Sequence, residues 1–279
     1  MNFDDTYNEA IKLSCNLIQD VRFNRDTNID PIIACTEHIC EYLHSNSNIL
    51  ILSNYDQDKN PYLYSHPVHV AFVSYVIGKW MKLKKSELSK LVFTGMVHDI
   101  GKAKIKDRIL NEAGKLTEQE MKIMKSHTMM GHEILSSRGI QDSDILSGVL
   151  SHHERYDGTG YPNKLRGDQI SLFAKIIGIA DVYDAITSQK SYDLKRTPFK
   201  AAEEIQADSF GLLDPKVCQI FLQNISDSYS GAVVRLSNEL VGKIVYVNPE
   251  EKTKPLIQCE NEYINLTRQR DIEIVELLK

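Results

Sequence analysis

Four histidines and one aspartate recur at similar intervals along the middle of this 279-residue chain. His66, His98, His127, His152 and Asp181 are separated by 32, 29, 25 and 29 residues. Each interval corresponds to one helix of about 12–20 residues and a short connection. If each helix carries one such residue, the side chains can converge in the middle of a bundle, as in other metal-carrying helical bundles. The spacing therefore predicts a helical bundle around a polar centre.

The hydrophobic pattern supports helices between residues 62 and 228. Thr117 and Glu120 have the spacing of a capping box, in which a hydroxyl and a carboxylate satisfy free N–H groups at a helix start. The apolar stripe predicted behind this box consists of Met121, Met124, Ile134 and Leu135. His127 falls on the same stripe. A further helix is predicted from Ser171 to Ser188, and Pro198 is well placed to open the next one.

The pattern changes to short alternating runs from Gly231 onward, which is typical of strands. These runs predict a small β module of about 50 residues, which packs on the helical part because it is marginal alone. We therefore predict a mainly α protein in three parts. The parts are an N-terminal helical segment (1–60), a helical domain (61–228) and a β-rich module (229–279).

Charge and composition exclude several classes of protein. The chain carries 33 Lys and Arg against 38 Asp and Glu, a net charge of −5. This balance argues against duplex nucleic acid as a partner, because duplex binding needs a basic face. The longest apolar runs, such as residues 49–52, are too short to span a bilayer, and the acidic N-terminus lacks a signal pattern. We therefore expect a cytoplasmic protein without a membrane partner.

Two pairs of adjacent polar residues point to metal chemistry. His98-Asp99 ends a predicted amphipathic helix, where a buried imidazole and carboxylate are costly unless paired or bound to metal. His152 and His153 diverge by about 100° on a helix, so they could serve two neighbouring ions. Each signal alone is also compatible with an ordinary packed histidine or a solvated aspartate. Together, the histidines and aspartates form a set of ligands suited to Fe, Mn or Zn. A pair of such ions suits in-line hydrolysis of phosphate esters.

Five segments in order resemble the HD-GYP family, a branch of the HD metal-dependent phosphohydrolases. They are SHPVHVA (65–71), VHDIGK (97–102), KSH (125–127), HHERYDGTGYP (152–162) and ADVYDA (180–185). The resemblance covers residues 62 to 225. It implies an HD-type helical bundle that hydrolyses cyclic di-GMP.

Site residues follow from the resemblance position by position. The implied metal ligands are His66, His98, Asp99, His127, His152, His153 and Asp181. Asp99 would bridge two metals, and Lys102 would be the catalytic lysine that neutralises phosphoryl charge. Asp184 and Tyr161 correspond to positions near the substrate.

Two departures from the family pattern bear on the site. Some relatives hold a third metal with a Glu four residues before the first ligand His, where this chain has Tyr62, so we expect two metals. Many relatives also carry Arg-Pro-Tyr-Arg where this chain has Lys190-Ser191-Tyr192-Asp193. Lys190 keeps one charge for a substrate phosphate without the bidentate fork of Arg, and Asp193 reverses the other.

The resemblance implies a phosphodiesterase that opens cyclic di-GMP to linear pGpG, with GMP as a candidate further product. The implied cofactors are two divalent ions, with Fe or Mn favoured over Zn, Ni, Co or Mg. A diguanylate cyclase, another signalling protein or a second copy of the chain are candidate partners. The alternatives are a hydrolase of another cyclic dinucleotide, such as cyclic GMP-AMP, and a nucleotide-binding adaptor with little turnover.

Overall fold

The computed structural model describes residues 2–26, 28–46, 61–112, 114–188, 197–248 and 250–278. The helices are α1 (Phe3–Arg22), α2 (Asp30–Ser45), α3 (Tyr62–Trp80), α4 (Lys85–Val97), α5 (Asp107–Leu110), α6 (Glu118–Lys125), α7 (His127–Ser137), α8 (Ser143–Ser151), α9 (Leu172–Thr187), α10 (Pro198–Asp208) and α11 (Pro215–Ser228). Short 3-10 helices cover Ile100–Lys104 and Gly167–Gln169. The strands are β1 (Val233–Leu236), β2 (Val241–Tyr246), β3 (Leu256–Gln258), β4 (Tyr263–Asn265) and β5 (Ile274–Leu278). The predicted mainly α fold with a small C-terminal sheet is confirmed.

Helix α3 is the central rod of the bundle. Its residues from Ser65 to Gly78 are buried without interruption, which is the pattern of a helix surrounded on all sides. Helices α1, α4 and α9 pack against it. Because α3 begins at Tyr62, His66 lies inside the helix, one turn from its start.

The predicted stripe between Met121 and Leu135 is wrong in part, because the chain breaks into two helices at Ser126. The capping box of Thr117 and Glu120 is confirmed: the Glu120 carboxylate accepts from Thr117 N at 3.1 Å. Helix α6 has no buried residue, and Met121 is exposed. The break turns only α7 into the core, where it buries His127 and Leu135.

The five strands form one antiparallel sheet in the order β4-β3-β2-β1-β5. Alternate residues such as Val234 and Ile244 are buried, as the alternating pattern predicts. The sheet docks on α10, where Lys254 Nζ lies 2.6 Å from a Glu203 carboxylate oxygen. Within the described ranges, no helix combines the length and the apolar character needed to cross a membrane.

Candidate metal centre

The seven predicted ligands converge from separate parts of the bundle. They come from α3 (His66), the end of α4 (His98, Asp99), the start of α7 (His127), the end of α8 (His152, His153) and α9 (Asp181). They form two groups, and within each group every residue offers one ligand atom that lies within 4.8 Å of those of the others. The His127 group contains Asp99, His127, His152 and His153, and the His66 group contains His66, His98 and Asp181.

Three of the imidazoles are oriented by the backbone of the preceding helical turn. Nδ1 of His98, His127 and His152 donates to the carbonyl oxygen three residues earlier, at 2.8, 2.7 and 2.8 Å. All three histidines stand at helix ends, where the last carbonyls lack intrahelical partners. Since a carbonyl only accepts, each Nδ1 carries the proton and Nε2 is left as the ligand atom.

His66 is oriented differently, because it lies inside α3. Its Nδ1 donates to Asp184 Oδ2 at 2.6 Å and also lies 2.9 Å from the Tyr62 hydroxyl oxygen. The Tyr62 ring stacks on the imidazole at 4.7 Å between centroids. The opposite nitrogen, Nε2, lies 3.1 Å from Asp181 Oδ1 and 3.5 Å from Asp99 Oδ2. A carboxylate side chain thus does for His66 what a backbone carbonyl does for the other three.

Asp99 lies between the two groups. Its Oδ1 is 3.3 Å from His127 Nε2, and its Oδ2 is 3.4 Å from His98 Nε2. Burial alone would raise the pKa of this carboxyl group, but the Lys102 ammonium and the neighbouring imidazoles hold the pKa well below its ordinary value. Asp99 is therefore an ionised carboxylate with one oxygen facing each group.

Lys102 follows Asp99 by one turn of 3-10 helix and points back at it. The Lys102 ammonium lies 2.5 Å from Asp99 Oδ2. Burial would lower the pKa of Lys102, whereas Asp99 and Asp181 raise it, and the net shift is upward. The side chain remains 22% exposed, so a protonated amine stands between the buried carboxylates and solvent.

The pKa of His66 is shifted in the opposite direction from the pKa values of His152 and His153. Burial lowers the pKa of His66, but hydrogen bonds to Asp181 and Asp184 outweigh it and raise the pKa to about 10. Burial lowers the pKa of His153 to about 3, and burial with neighbouring imidazoles keeps the pKa of His152 well below its ordinary value. His66, which lies among carboxylates, therefore holds a proton, whereas His152 and His153 are neutral and have a free lone pair.

The residues present fit divalent metal ions. His98 Nε2 and Asp99 Oδ1 are buried without a hydrogen-bond partner, which is costly unless another group satisfies them. Both atoms face the centre of the cluster, among imidazole nitrogens and carboxylate oxygens that suit borderline ions. Cations at this position would also balance the buried carboxylates.

The cluster is open to solvent on one side. His66, His98, His127 and His152 have side chains at most 3% exposed, whereas His153 and Asp181 are 16% and 14% exposed. Tyr161 lies at this rim: its ring stacks on His153 at 4.8 Å between centroids, and Lys125 Nζ lies 5.1 Å from its centroid. A ligand would therefore approach past His153 and Tyr161.

The loop that carries Tyr161 is held by a buried carboxylate. Glu154 accepts hydrogen bonds from the backbone N–H groups of Asn163 and Leu165 at 2.6 and 3.0 Å. Gly160 passes so close to Glu154 that a Cβ would lie 2.5 Å from the Glu154 Cα. Only glycine allows this approach, which explains the need for Gly in the segment.

Of the two other predicted substrate contacts, the structure describes Asp184 and not Lys190. Both oxygens of Asp184 already accept hydrogen bonds inside the protein, from His66, His69 and Ser188 at 2.6–2.8 Å. The carboxylate is buried, so the structure places it behind His66 instead of in the opening. Lys190 and Asp193 lie outside the described residues.

Sequence reasoning overlooked three residues that support the site: Glu154, His69 and Tyr7. His69 lies in the quoted segment SHPVHVA and follows His66 by three residues, so helical spacing could have placed both on one face. Glu154 directly follows the two histidines. Nothing in the sequence marks Tyr7, which comes from a distant helix.

Sequence comparisons with known proteins identify similar domains. The HD domain family model matches residues 51–217. The chain is 36% identical, over 186 residues, to cyclic di-GMP phosphodiesterase PA4108 of Pseudomonas aeruginosa, covering 66% of this chain and 44% of that protein. It is 34% identical, over 161 residues, to 3'3'-cGAMP-specific phosphodiesterase 2 of Vibrio cholerae, covering 57% of this chain and 31% of that protein.

The fold also matches a solved structure. Bd1817, an HDG"Y"P protein from Bdellovibrio bacteriovorus, superimposes with a TM-score of 0.58 at 16% identity, covering 77% of this chain and 68% of that one. At this identity, the likeness concerns the fold alone. The chain spans less than half the length of the two curated relatives named above.

Proposed function

Because the chain belongs to the HD domain family, we propose that it is a metal-dependent phosphodiesterase of the HD-GYP type that opens cyclic di-GMP to linear pGpG. The observation that carries this proposal is the convergence of imidazoles and carboxylates from separate helices around buried, unpartnered ligand atoms. Similarity to cyclic dinucleotide phosphodiesterases supports the substrate class. GMP is a candidate product of a further step.

The proposed ligands divide between two divalent ions, with Fe or Mn favoured. The His127 group and the His66 group would each hold one ion, and Asp99 would contribute one oxygen to each. Tyr62 supports two ions over three, since it offers a ring and a hydroxyl to His66 and no carboxylate. Ions at such a site supply Lewis-acid polarisation of phosphoryl oxygens and make water nucleophilic at neutral pH.

Lys102 is the proposed catalytic cation. Its ammonium is protonated, partly exposed and fixed on Asp99 at 2.5 Å, so it can neutralise charge that develops on a phosphoryl oxygen. It also holds a proton that the leaving 3' oxygen of an opened ring requires. Both roles need an ammonium that a substrate can reach, and the 22% exposure of the Lys102 side chain supports them.

The remaining residues position the ligands or the substrate. Asp184 is proposed to orient His66 instead of contacting the substrate, because neither of its oxygens faces the opening. Tyr161 is proposed to contact the substrate at the rim, beside His153. Lys125 adds a positive charge there, which favours an anionic ligand.

A mixed cyclic GMP-AMP is the second candidate substrate. The similarity to 3'3'-cGAMP-specific phosphodiesterase 2 favours it, and the same centre would serve either ring. The two substrates differ in one base, so the choice depends on contacts outside the metal groups.

Product analysis with purified, metal-loaded protein tests this proposal. We expect protein loaded with Fe²⁺ or Mn²⁺ to convert cyclic di-GMP or 3'3'-cyclic GMP-AMP to a linear dinucleotide, measured by chromatography. The relative rates for the two rings identify the substrate. His98→Ala and Asp99→Ala should abolish turnover, since each removes a proposed ligand.

The matched control is His132→Ala. His132 is a half-buried histidine on α7 that belongs to neither ligand group, and its loss should leave turnover unchanged. Absence of linear product with every divalent ion tested would contradict the proposal. Nucleotide binding that survives metal removal would then favour an adaptor.

A further inference from the structure

A continuous chain of buried hydrogen bonds joins the N-terminal helix to His66. The Tyr7 hydroxyl on α1 lies 2.7 Å from His69 Nε2. His69 Nδ1 lies 2.8 Å from Asp184 Oδ1, and the other Asp184 oxygen lies 2.6 Å from His66 Nδ1. Tyr7, His69, Asp184 and His66 are each at most 3% exposed, so water does not compete for these contacts.

The Asp184 carboxylate fixes the direction of the two hydrogen bonds that it accepts from histidines. Burial would raise the pKa of Asp184, but His69 and His66 hold it below its ordinary value, so the carboxylate only accepts. Nδ1 of His69 must therefore donate, and when Nδ1 carries the only proton of the ring, Nε2 accepts from the Tyr7 hydroxyl. Nδ1 of His66 must also donate, so Nε2, which faces Asp181 and Asp99, is the atom that can bind an ion once its proton has left.

Helix α1 is attached to the centre at a second place. The Lys104 ammonium, just past the His98-Asp99 turn, donates to the Val21 carbonyl oxygen and to Asn24 Oδ1. Arg22 pairs with Asp107 at 2.9 Å. The end of α1 thus holds the segment that follows Asp99, while its start holds His69.

We infer that Tyr7 and His69 are positioning residues of the metal centre, through which helix α1 fixes the orientation of His66. The inference rests on the proposed role of His66 as a metal ligand. Tyr7 selects the His69 form that donates to Asp184, and Asp184 then holds the His66 ring with Nε2 toward the ion. A residue of the N-terminal segment is thereby part of the support of the centre.

Metal affinity measured with a spectroscopic probe tests the inference without relying on turnover. Metal-free protein is titrated with Co²⁺, and its visible absorption, which depends on coordination, reports stepwise binding. The variants are Tyr7→Phe, His69→Asn and the double variant. His69→Asn can keep a donor near the position of Nδ1 but loses the acceptor of the Tyr7 hydroxyl.

Tyr7→Phe should weaken one Co²⁺ step by about threefold to tenfold, less than the 10–100-fold typical of a group bonded directly to a ligand. The same change in the His69→Asn background should alter the affinity by less than about twofold, because coupled contacts are not additive. The control Tyr75→Phe removes a hydroxyl from another buried tyrosine, which lines a cavity with Cys40 and Lys79. It should leave both steps unchanged.

Two results would overturn the inference. One is an unchanged Co²⁺ affinity in Tyr7→Phe, and the other is an equal loss in both backgrounds, since either shows that Tyr7 does not act through His69. If Tyr7→Phe does not fold, the same double-variant comparison is made with His69→Leu, alone and combined with Asp184→Asn. This pair tests the next contact toward His66. Wild-type protein that binds no Co²⁺ would instead contradict the proposed metal centre, so the two failures are distinguishable.

Discussion

The two regions of the centre differ in how their histidines are held. His98, His127 and His152 stand at helix ends and use carbonyls three residues away, whereas His66 lies inside α3 and depends on Asp184 of α9. A carbonyl at a helix end is available without any further residue. A histidine inside a helix finds its own backbone acceptors occupied, so a side chain from elsewhere must orient it.

This difference teaches that the neighbouring backbone orients His127 and His152 of the His127 group, whereas the His66 group combines the locally held His98 with His66, which tertiary structure orients. We call the His127 group the local half and the His66 group the assembled half. The local half needs only a helix that stops at the right residue. The assembled half needs α1, α3 and α9 to be packed first. Changes far from the metals should therefore affect the His66 group more than the His127 group.

The largest effect is expected for Asp99→Asn, which acts on both halves. The amide keeps the shape but loses the charge that faces both groups, so both Co²⁺ steps should weaken by more than the roughly 100-fold upper figure for supporting residues. Stepwise titration of metal-free protein measures this. Asp168→Asn, at a fully exposed carboxylate, is the control, and a loss confined to one step would show that Asp99 does not serve both groups.

A smaller and asymmetric effect is expected for Asp184→Asn. The amide cannot accept from both His66 and His69 as the carboxylate does, so one Co²⁺ step should weaken by about 10–100-fold while the other stays nearly unchanged. Asp214→Asn is matched, because Asp214 is also buried and accepts from the N–H groups of Lys216 and Val217 at 3.0 Å. Equal weakening of both Co²⁺ steps would show that Asp184 supports both groups, and the two halves would then not differ in this respect.

The pH dependence of stability without metal should also separate the halves. The folded-state pKa of His66 is raised to about 10, above the unfolded value of about 6.5. The stability that His66 contributes is therefore fully present below the unfolded pKa and is lost as pH rises through the folded pKa. His152 has a lowered pKa and adds no such loss on the alkaline side.

Chelator-treated protein should accordingly unfold at a lower temperature as the pH rises from about 7 toward 10. His66→Gln removes the titrating group and should flatten this dependence, whereas His132→Gln should not. Thermal unfolding at several pH values measures both. If the unfolding temperature of His66→Gln falls with pH as steeply as that of the wild type, groups other than His66 cause the loss of stability at alkaline pH.

The same division explains how much could be predicted from the sequence. The three histidines held by carbonyls could be recognised from their spacing and motifs, but only His98 was predicted at a helix end, and His127 was predicted inside a continuous helix. The partners of His66 were not, since Tyr7 lies 59 residues before it in the chain and no periodic pattern joins them. Asp184 was recognised but was expected near the substrate. A sequence does not show that its carboxylate accepts hydrogen bonds from His66 and His69. The break at Ser126, which exposes α6, was hidden by apolar residues that continue across it.

The smallest effect is expected for Thr117→Ala at the start of α6. Loss of the cap should cost helix α6 about 1 kcal/mol, and amide hydrogen exchange in α6 should accelerate. Co²⁺ affinity should change by less than about twofold, because His127 is anchored at the opposite end of α6, on the Met124 carbonyl. Since α6 buries no residue, only its last turn is needed for that anchor. A larger loss of affinity would mean that the whole helix positions His127, and the local half of the centre would then depend on distant structure as the His66 group does.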